Sequence, residues 1–194
     1  MNRTKYLTHA AIIGAMYFAL THLQNFLVPN SATWLIQFRA SEALCVLALF
    51  TPAAIPGLTI GCLLFNISFA GALPLDFLVG SFASFLACGT MWMLRRWPGV
   101  ALSMPALFNG LLVGWELTLY FGETGFTMSA FWISAIQVAI GELAVLYTLG
   151  LLLYRFFRRF FRFLSAECRR WENIHNSCPV FSVTNKFPPV NSMM

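Results

Sequence analysis

Long apolar runs alternate with short joins containing Pro, Gly or polar residues as far as Tyr154. A helix needs about 20 mostly apolar residues to cross a bilayer, each adding about 1.5 Å. Six runs fit, at roughly 7–28, 32–51, 53–71, 76–94, 100–121 and 128–154. The joins fall at Val28-Pro29-Asn30, Thr51-Pro52, Leu73-Pro74, Trp97-Pro98-Gly99 and Phe121-Gly122, where Pro and Gly interrupt regular structure. Only the hinge from Pro52 to Pro56 divides the second and third runs. The pattern predicts an all-α integral membrane protein, a bundle of six transmembrane helices. The run from Leu7 to Val28 is long enough to span and is read as the first helix, not as a cleaved signal.

Composition agrees. The chain has 194 residues, of which 59% are hydrophobic and 10% charged, against about 25% charged in soluble domains. Such a chain cannot cover a water-facing surface. Lys and Arg outnumber Asp and Glu by twelve to seven, giving a formal net charge of +5. In a membrane protein that excess reports topology and attraction to anionic lipid, not nucleic-acid binding. With six spans and both termini in the cytoplasm, Arg3, Lys5, Arg95, Arg96 and the Arg-rich end all fall inside, and the outer turns keep only Asp76 and Glu123. A five-span count would split these basic groups between the two sides, so six is preferred.

Residues 1–154 therefore form the transmembrane domain, and 155–194 a basic juxtamembrane segment with a cytoplasmic tail. Arg155, Arg158, Arg159 and Arg162 repeat at helical spacing among Phe residues, as an interfacial anchor on anionic membrane lipid would. Beyond Ser165 the chain is polar and aperiodic, which predicts poor order.

Charged residues inside the runs change the picture most. Even lenient insertion scales charge about 2.5–3.5 kcal/mol for such a group at mid-membrane, so chains that keep one aim it at a partner or a polar cavity. Arg39 and Glu42 lie about 10 and 15 Å from the outer face of the second run and share a helical face at i, i+3. They can serve a solute or simply neutralise each other. Asn66, Asp76 and Glu116 lie near the outer ends of their runs, Asn109 shares a face with Glu116, and Gln137 and Glu142 lie about 13 and 20 Å down the sixth. These positions converge on a cavity open to the exterior. Four carboxyls there face one Arg, which favours a cationic solute or one rich in N–H donors; a proton held by one Glu is the competing account of the balance. Trp34, Phe38, Trp115 and Trp132 flank the same region and read either as stacking surfaces or as an interfacial aromatic belt.

Small residues mark close helix contacts. Ala11, Ala15 and Ala19 line one face of the first run, with Gly14 alongside, and can meet another helix of this bundle or of a partner. Gly57/Gly61 and Gly110/Gly114 suggest packing within the bundle. Catalysis has little support. His9 and His22 stand at opposite ends of one span, and no Gly-rich phosphate loop with Lys-Ser/Thr occurs. Cys45, Cys62 and Cys88 fall within spans as small apolar residues. Cys168, His175 and Cys178 fit no standard metal spacing. No metal or cofactor is expected.

The segments Ile36–Leu44 (IQFRASEAL) and Pro52–Leu58 (PAAIPGL), followed by Gly61-Cys62, Asn66, Asp76 and Gly80, resemble the QueT family, substrate-binding (S) components of energy-coupling factor (ECF) transporters. The resemblance spans about residues 7–154. It implies a bacterial cell-membrane protein of six helices that captures a queuosine precursor, 7-cyano- or 7-aminomethyl-7-deazaguanine, from outside. It further implies a transmembrane coupling subunit and two ATPase subunits as partners, so that ATP is consumed elsewhere, and it assigns Ala11, Ala15 and Ala19 to docking of the coupling subunit. The site residues expected on this basis are Arg39, Glu42, Asn66, Asp76, Asn109, Glu116, Gln137 and Glu142. Glu42 or Glu142 would read the donor edge of the base, and Arg39 would orient Glu42 or meet the carbonyl. An S component for another vitamin-like molecule and a stand-alone proton-coupled transporter are the rival readings, with a membrane enzyme behind them.

Overall fold

A computed structural model describes residues 3–29, 38–69, 75–121 (backbone alone at 121) and 126–160. The chain divides into two compact units, one of Asn2–Tyr154 and one that includes Arg155–Met194. In the first, the described residues form α1 (Arg3–Leu27), a 3-10 helix (Ala40–Leu49), α2 (Ala54–Ser68), α3 (Asp76–Met93), the short α4 (Pro98–Ala101), α5 (Met104–Phe121) and α6 (Met128–Val145), which passes into a π turn (Leu146–Gly150). No strand occurs among the described residues. Four helical stretches are long and apolar enough to cross a membrane: Arg3–Leu27, Asp76–Met93, Pro98–Tyr120 and Met128–Phe160.

The second and third runs depart from expectation. α2 has 15 residues, about 22 Å at α-helical rise and short of a full crossing. Residues 40–49 are a 3-10 helix, not an α-helix, and 30–37 lie outside the described residues. The tighter 3-10 winding stacks side chains three apart into a column. Glu42, Cys45 and Ala48 therefore share one edge. Ala40, Ser41, Ala43, Cys45 and Ala48 keep this helix thin, and it packs against α1, α2, α3, α6 and the π turn. All but two of its ten residues are buried.

Glycines set the closest approaches. A Cβ on Gly57 would lie 2.6 Å from the Ala10 carbonyl oxygen, and one on Gly61 2.7 Å from that of Gly14. The α1–α2 backbones can touch only because these side chains are missing. On α5, a Cβ on Gly114 would lie 2.7 Å from Cα of Ala135 on α6. Both pairs of small residues pack internally, as expected.

The bundle's two ends differ chemically. Leu44, Val46, Leu49, Leu58, Met91 and Leu102 belong to an apolar core, and Arg95 and Arg96 emerge exposed just beyond α3. Polar side chains gather instead where α1, α2 and α5 end and where the 3-10 helix and α3 begin. The outer faces carry Phe82, Phe85, Ile133, Ile136 and Ile140, all about half exposed. That is a lipid-facing surface, with polar groups inside and apolar ones outside.

In the second unit residues 155–160 are helical, and the Phe156 ring stacks on Phe160 with centroids 6.3 Å apart. Arg155 and Arg159 are exposed and Arg158 is partly so. Arg162, Cys168, His175 and Cys178 lie outside the described residues.

Candidate functional site

Seven of the eight expected site residues are buried: Arg39, Glu42, Asn66, Asp76, Asn109, Glu116 and Glu142. Gln137 is half-buried on α6. Hydrogen bonds pair Asn66 with Asp76 and Asn109 with Glu142, and Glu42, Glu116 and Glu142 lie within electrostatic range of Arg39.

The group is built from its edges inward. Arg39 is the extended residue before the 3-10 helix, with φ −93° and ψ 98°, so its guanidinium leaves the column and reaches across. Its Nη1 lies 4.0 Å from Cys62 Sγ on α2, and it is within electrostatic reach of Tyr17, Asp76 and Glu42. Asp76 opens α3, where the positive end of the helix dipole favours a carboxylate. Asn66 donates from Nδ2 to the Asp76 carbonyl at 2.8 Å, fastening the end of α2 to the start of α3. Gly80 makes room for this, since a Cβ there would lie 2.9 Å from Asn66 Nδ2. On the far side Asn109 Nδ2 donates to Glu142 Oε1 at 2.5 Å, linking α5 to α6. Glu142 senses the charges of Glu42 and Arg39, and Glu116 those of Asp76 and Arg39. Arg39 thus stands between the two halves.

Donors are unevenly shared among the four carboxyls. Each Glu42 oxygen already accepts a hydrogen bond, Oε1 from the Tyr17 hydroxyl at 2.5 Å and Oε2 from Cys45 Sγ at 3.1 Å. Glu142 Oε2, Asn66 Oδ1 and both oxygens of Glu116 are buried without a hydrogen-bond partner among the described residues. Buried acceptors in this state are rare in a finished core, since each loses its water for nothing. Their arrangement suits a ligand that brings N–H donors.

Several members of the site escaped sequence reasoning. Tyr17, Thr21 and Asn25 are buried along one face of α1, and Thr21 Oγ1 donates to Ser41 Oγ at 2.7 Å. Gln24, beside Asn25, joins in: its Oε1 accepts from the Ala40 backbone N–H at 2.7 Å and its Nε2 donates to the Phe38 carbonyl. The i, i+4, i+8 spacing of Tyr17, Thr21 and Asn25 was the available signal. Ala11, Ala15 and Ala19 fall on the other side of α1 and are exposed, so the face that packs internally is that of Gly14 and not the alanine face. Phe38, Trp115 and Trp132 are exposed as well, which matches the aromatic-belt reading and not stacking within the cluster; Trp34 lies outside the described residues. Among the described residues no group of three His, Cys, Asp or Glu side chains could hold a metal ion.

No curated protein and no solved structure matches the chain. A family profile described as QueT transporter matches residues 7–159, a stretch that takes in α2 to α6, all of α1 from Leu7 onward and the expected site residues. Transport is the activity that goes with this family, and its apolar helices make the protein a multi-pass membrane protein. On that match, the chain belongs to the QueT transporter family.

Proposed function

We propose that this protein is the substrate-binding S component of an ECF-type ABC importer in the bacterial cell membrane. It captures 7-cyano- or 7-aminomethyl-7-deazaguanine from outside, in a bundle whose two termini face the cytoplasm. The observation that carries the reading is the set of polar side chains buried inside an apolar bundle, with acceptors on Glu142, Asn66 and Glu116 left unpaired among the described residues. A guanine-like edge presents N–H donors to such acceptors and a carbonyl to Arg39. Glu142 reads the donor edge. Glu42, already held by Tyr17 and Cys45, anchors Arg39 and the 3-10 helix. Asn66 and Asp76 complete the lining.

ATP hydrolysis falls to two partner ATPases, and a coupling transmembrane subunit docks on the exposed Ala11, Ala15 and Ala19 face, where small side chains permit close helix contact. Titration of the purified protein with both deazaguanines tests the function. Saturable binding is expected, and no heat signal with either compound would refute it. One observation favours a second reading, a proton-coupled transporter working alone. Asp76 and Glu116 are neighbouring carboxyls, and two such groups readily share a proton. Uptake into liposomes by this chain alone, driven by a pH gradient, would select that reading.

A further inference from the structure

We infer that the turn joining α3 to α4 binds the phosphate head of an anionic phospholipid through Arg95 and Arg96, with the Trp92 ring holding Arg95 in place. The site lies on the surface of the bundle and does not depend on what the buried cluster takes.

Charge on that surface has one sign. The four acidic side chains among the described residues, Glu42, Asp76, Glu116 and Glu142, are all buried. Every exposed Arg, Lys, Asp or Glu among the described residues is basic: Arg3, Lys5, Arg95, Arg96, Arg155 and Arg159. At Arg95 and Arg96 the charge is built into a fixed corner. α3 ends at Met93, and the Trp97 backbone N–H donates to the Leu94 carbonyl at 2.8 Å. This closes a turn whose two central residues are Arg95 and Arg96, both exposed. Pro98 then opens α4, and the Gly99 carbonyl accepts from the Tyr147 hydroxyl at 2.8 Å, which ties the corner to the π turn. The guanidinium carbon of Arg95 stands 4.0 Å from the centroid of the half-buried Trp92 ring, a cation–π contact. A guanidinium held by its face keeps the N–H donors around its rim, with which Arg grips a phosphate by two bonds at once.

A free phosphate ion would use the cations alone. Met93, Trp97 and Val100 flank the turn in sequence, and each is more than half exposed. A ligand that answers both kinds of side chain has an anionic head and apolar chains, which is the make-up of a phospholipid. An indole is well suited to the boundary between headgroups and acyl chains, and each basic residue near an anionic leaflet contributes about fivefold in affinity.

The test reads this corner in the full-length protein, reconstituted in vesicles of mixed phosphatidylglycerol and phosphatidylcholine in which one lipid or the other carries brominated chains. Bromine quenches tryptophan fluorescence on contact, and the quenching that Trp97→Phe removes belongs to this corner. That quenching should favour phosphatidylglycerol by about 5- to 25-fold, a factor of about five for each Arg. Arg95→Gln should lower the preference about fivefold and Trp92→Leu by about two- to fivefold, while Lys5→Gln, which removes an exposed cation on α1, should leave it unchanged. Inorganic phosphate should lower it no more than chloride at equal ionic strength. Equal quenching by the two lipids in the wild-type protein overturns the inference without needing any variant. So does a preference undiminished by Arg95→Gln, or one that falls as far with Lys5→Gln, since either marks diffuse attraction between a basic protein and an acidic membrane. A preference untouched by Trp92→Leu overturns the part given to the ring, and displacement by phosphate beyond the chloride control marks a free-anion site and overturns the lipid assignment. The deazaguanine reading stands or falls separately.

Discussion

The Tyr17 hydroxyl lies 2.5 Å from Glu42 Oε1, a buried contact that ties the long first helix to the 3-10 helix beside it. Both side chains are almost wholly inaccessible to solvent. Tyr17 is therefore expected to be a stability residue. Tyr17→Phe removes the donor and keeps the ring, leaving a buried carboxyl oxygen short of a partner at a cost of about 1–3 kcal/mol. Thermal unfolding of the protein in detergent should show a lowered midpoint. An unchanged midpoint would mean that Glu42 finds another donor or does not need one.

Glu42 and Glu142 separate cleanly in what their oxygens do, and their variants should separate too. Glu142→Gln replaces an acceptor of N–H donors with a group that can itself donate, at the oxygen left open among the described residues. Deazaguanine affinity should fall by about 10- to 100-fold in calorimetry, with little change in stability. Glu42→Gln should do the reverse: it turns an acceptor of two hydrogen bonds into a mixed donor and acceptor, so the main loss is in unfolding midpoint. Equal effects of the two substitutions on affinity would undo the division of roles.

Much of the cluster could be read from the chain before any coordinates, because a charged residue inside an apolar run is rare enough to stand out. Arg39, Glu42, Asp76, Glu116 and Glu142 were found that way. Tyr17, Thr21 and Asn25 were not, although they keep helical spacing, because none of them interrupts the hydropathy of its run. The 3-10 helix was hidden for a different reason. Ala40–Leu49 is made of Ala, Leu, Val, Cys, Ser and Glu, a composition that serves α and 3-10 winding alike. Packing on several sides goes with the narrower form, and packing is not written in a local window. The alanine face illustrates a third limit. Spacing showed that Ala11, Ala15 and Ala19 share a side of α1, but only the placement of Gly14 against Gly57 and Gly61 showed which side faces inward.

That placement makes a prediction about partners. Ala15 is exposed, as are Ala11 and Ala19, so Ala15→Leu adds bulk without touching the interior. The variant should bind deazaguanine with unchanged affinity and lose co-purification with the coupling subunit, since a bulky side chain keeps a second helix at a distance. Retained co-purification would place the docking surface elsewhere. Gly57→Val is the internal counterpart: its Cβ would fall 2.6 Å from the Ala10 carbonyl oxygen, and prying α1 from α2 should destabilise the bundle by about 1–3 kcal/mol.

Gly80 offers the sharpest link between backbone and ligand. Its missing side chain leaves the space in which Asn66 Nδ2 sits, 2.9 Å from where a Cβ would be, and from there Nδ2 reaches the Asp76 carbonyl at 2.8 Å. Asn66 Oδ1, on the same amide, is buried with no partner among the described residues and is the atom that the proposed function gives to the ligand. Gly80→Ala would push that amide aside by a few tenths of an ångström or more, breaking the tie to Asp76 and turning Oδ1 out of position in one movement. Binding should weaken by about tenfold, roughly the worth of one neutral hydrogen bond at its upper range. The same loss should appear in Asn66→Ala, and the double variant should be little worse than either single one, because both act through one side chain. Additive losses in that cycle, measured by titration, would show that Gly80 and Asn66 affect the ligand separately.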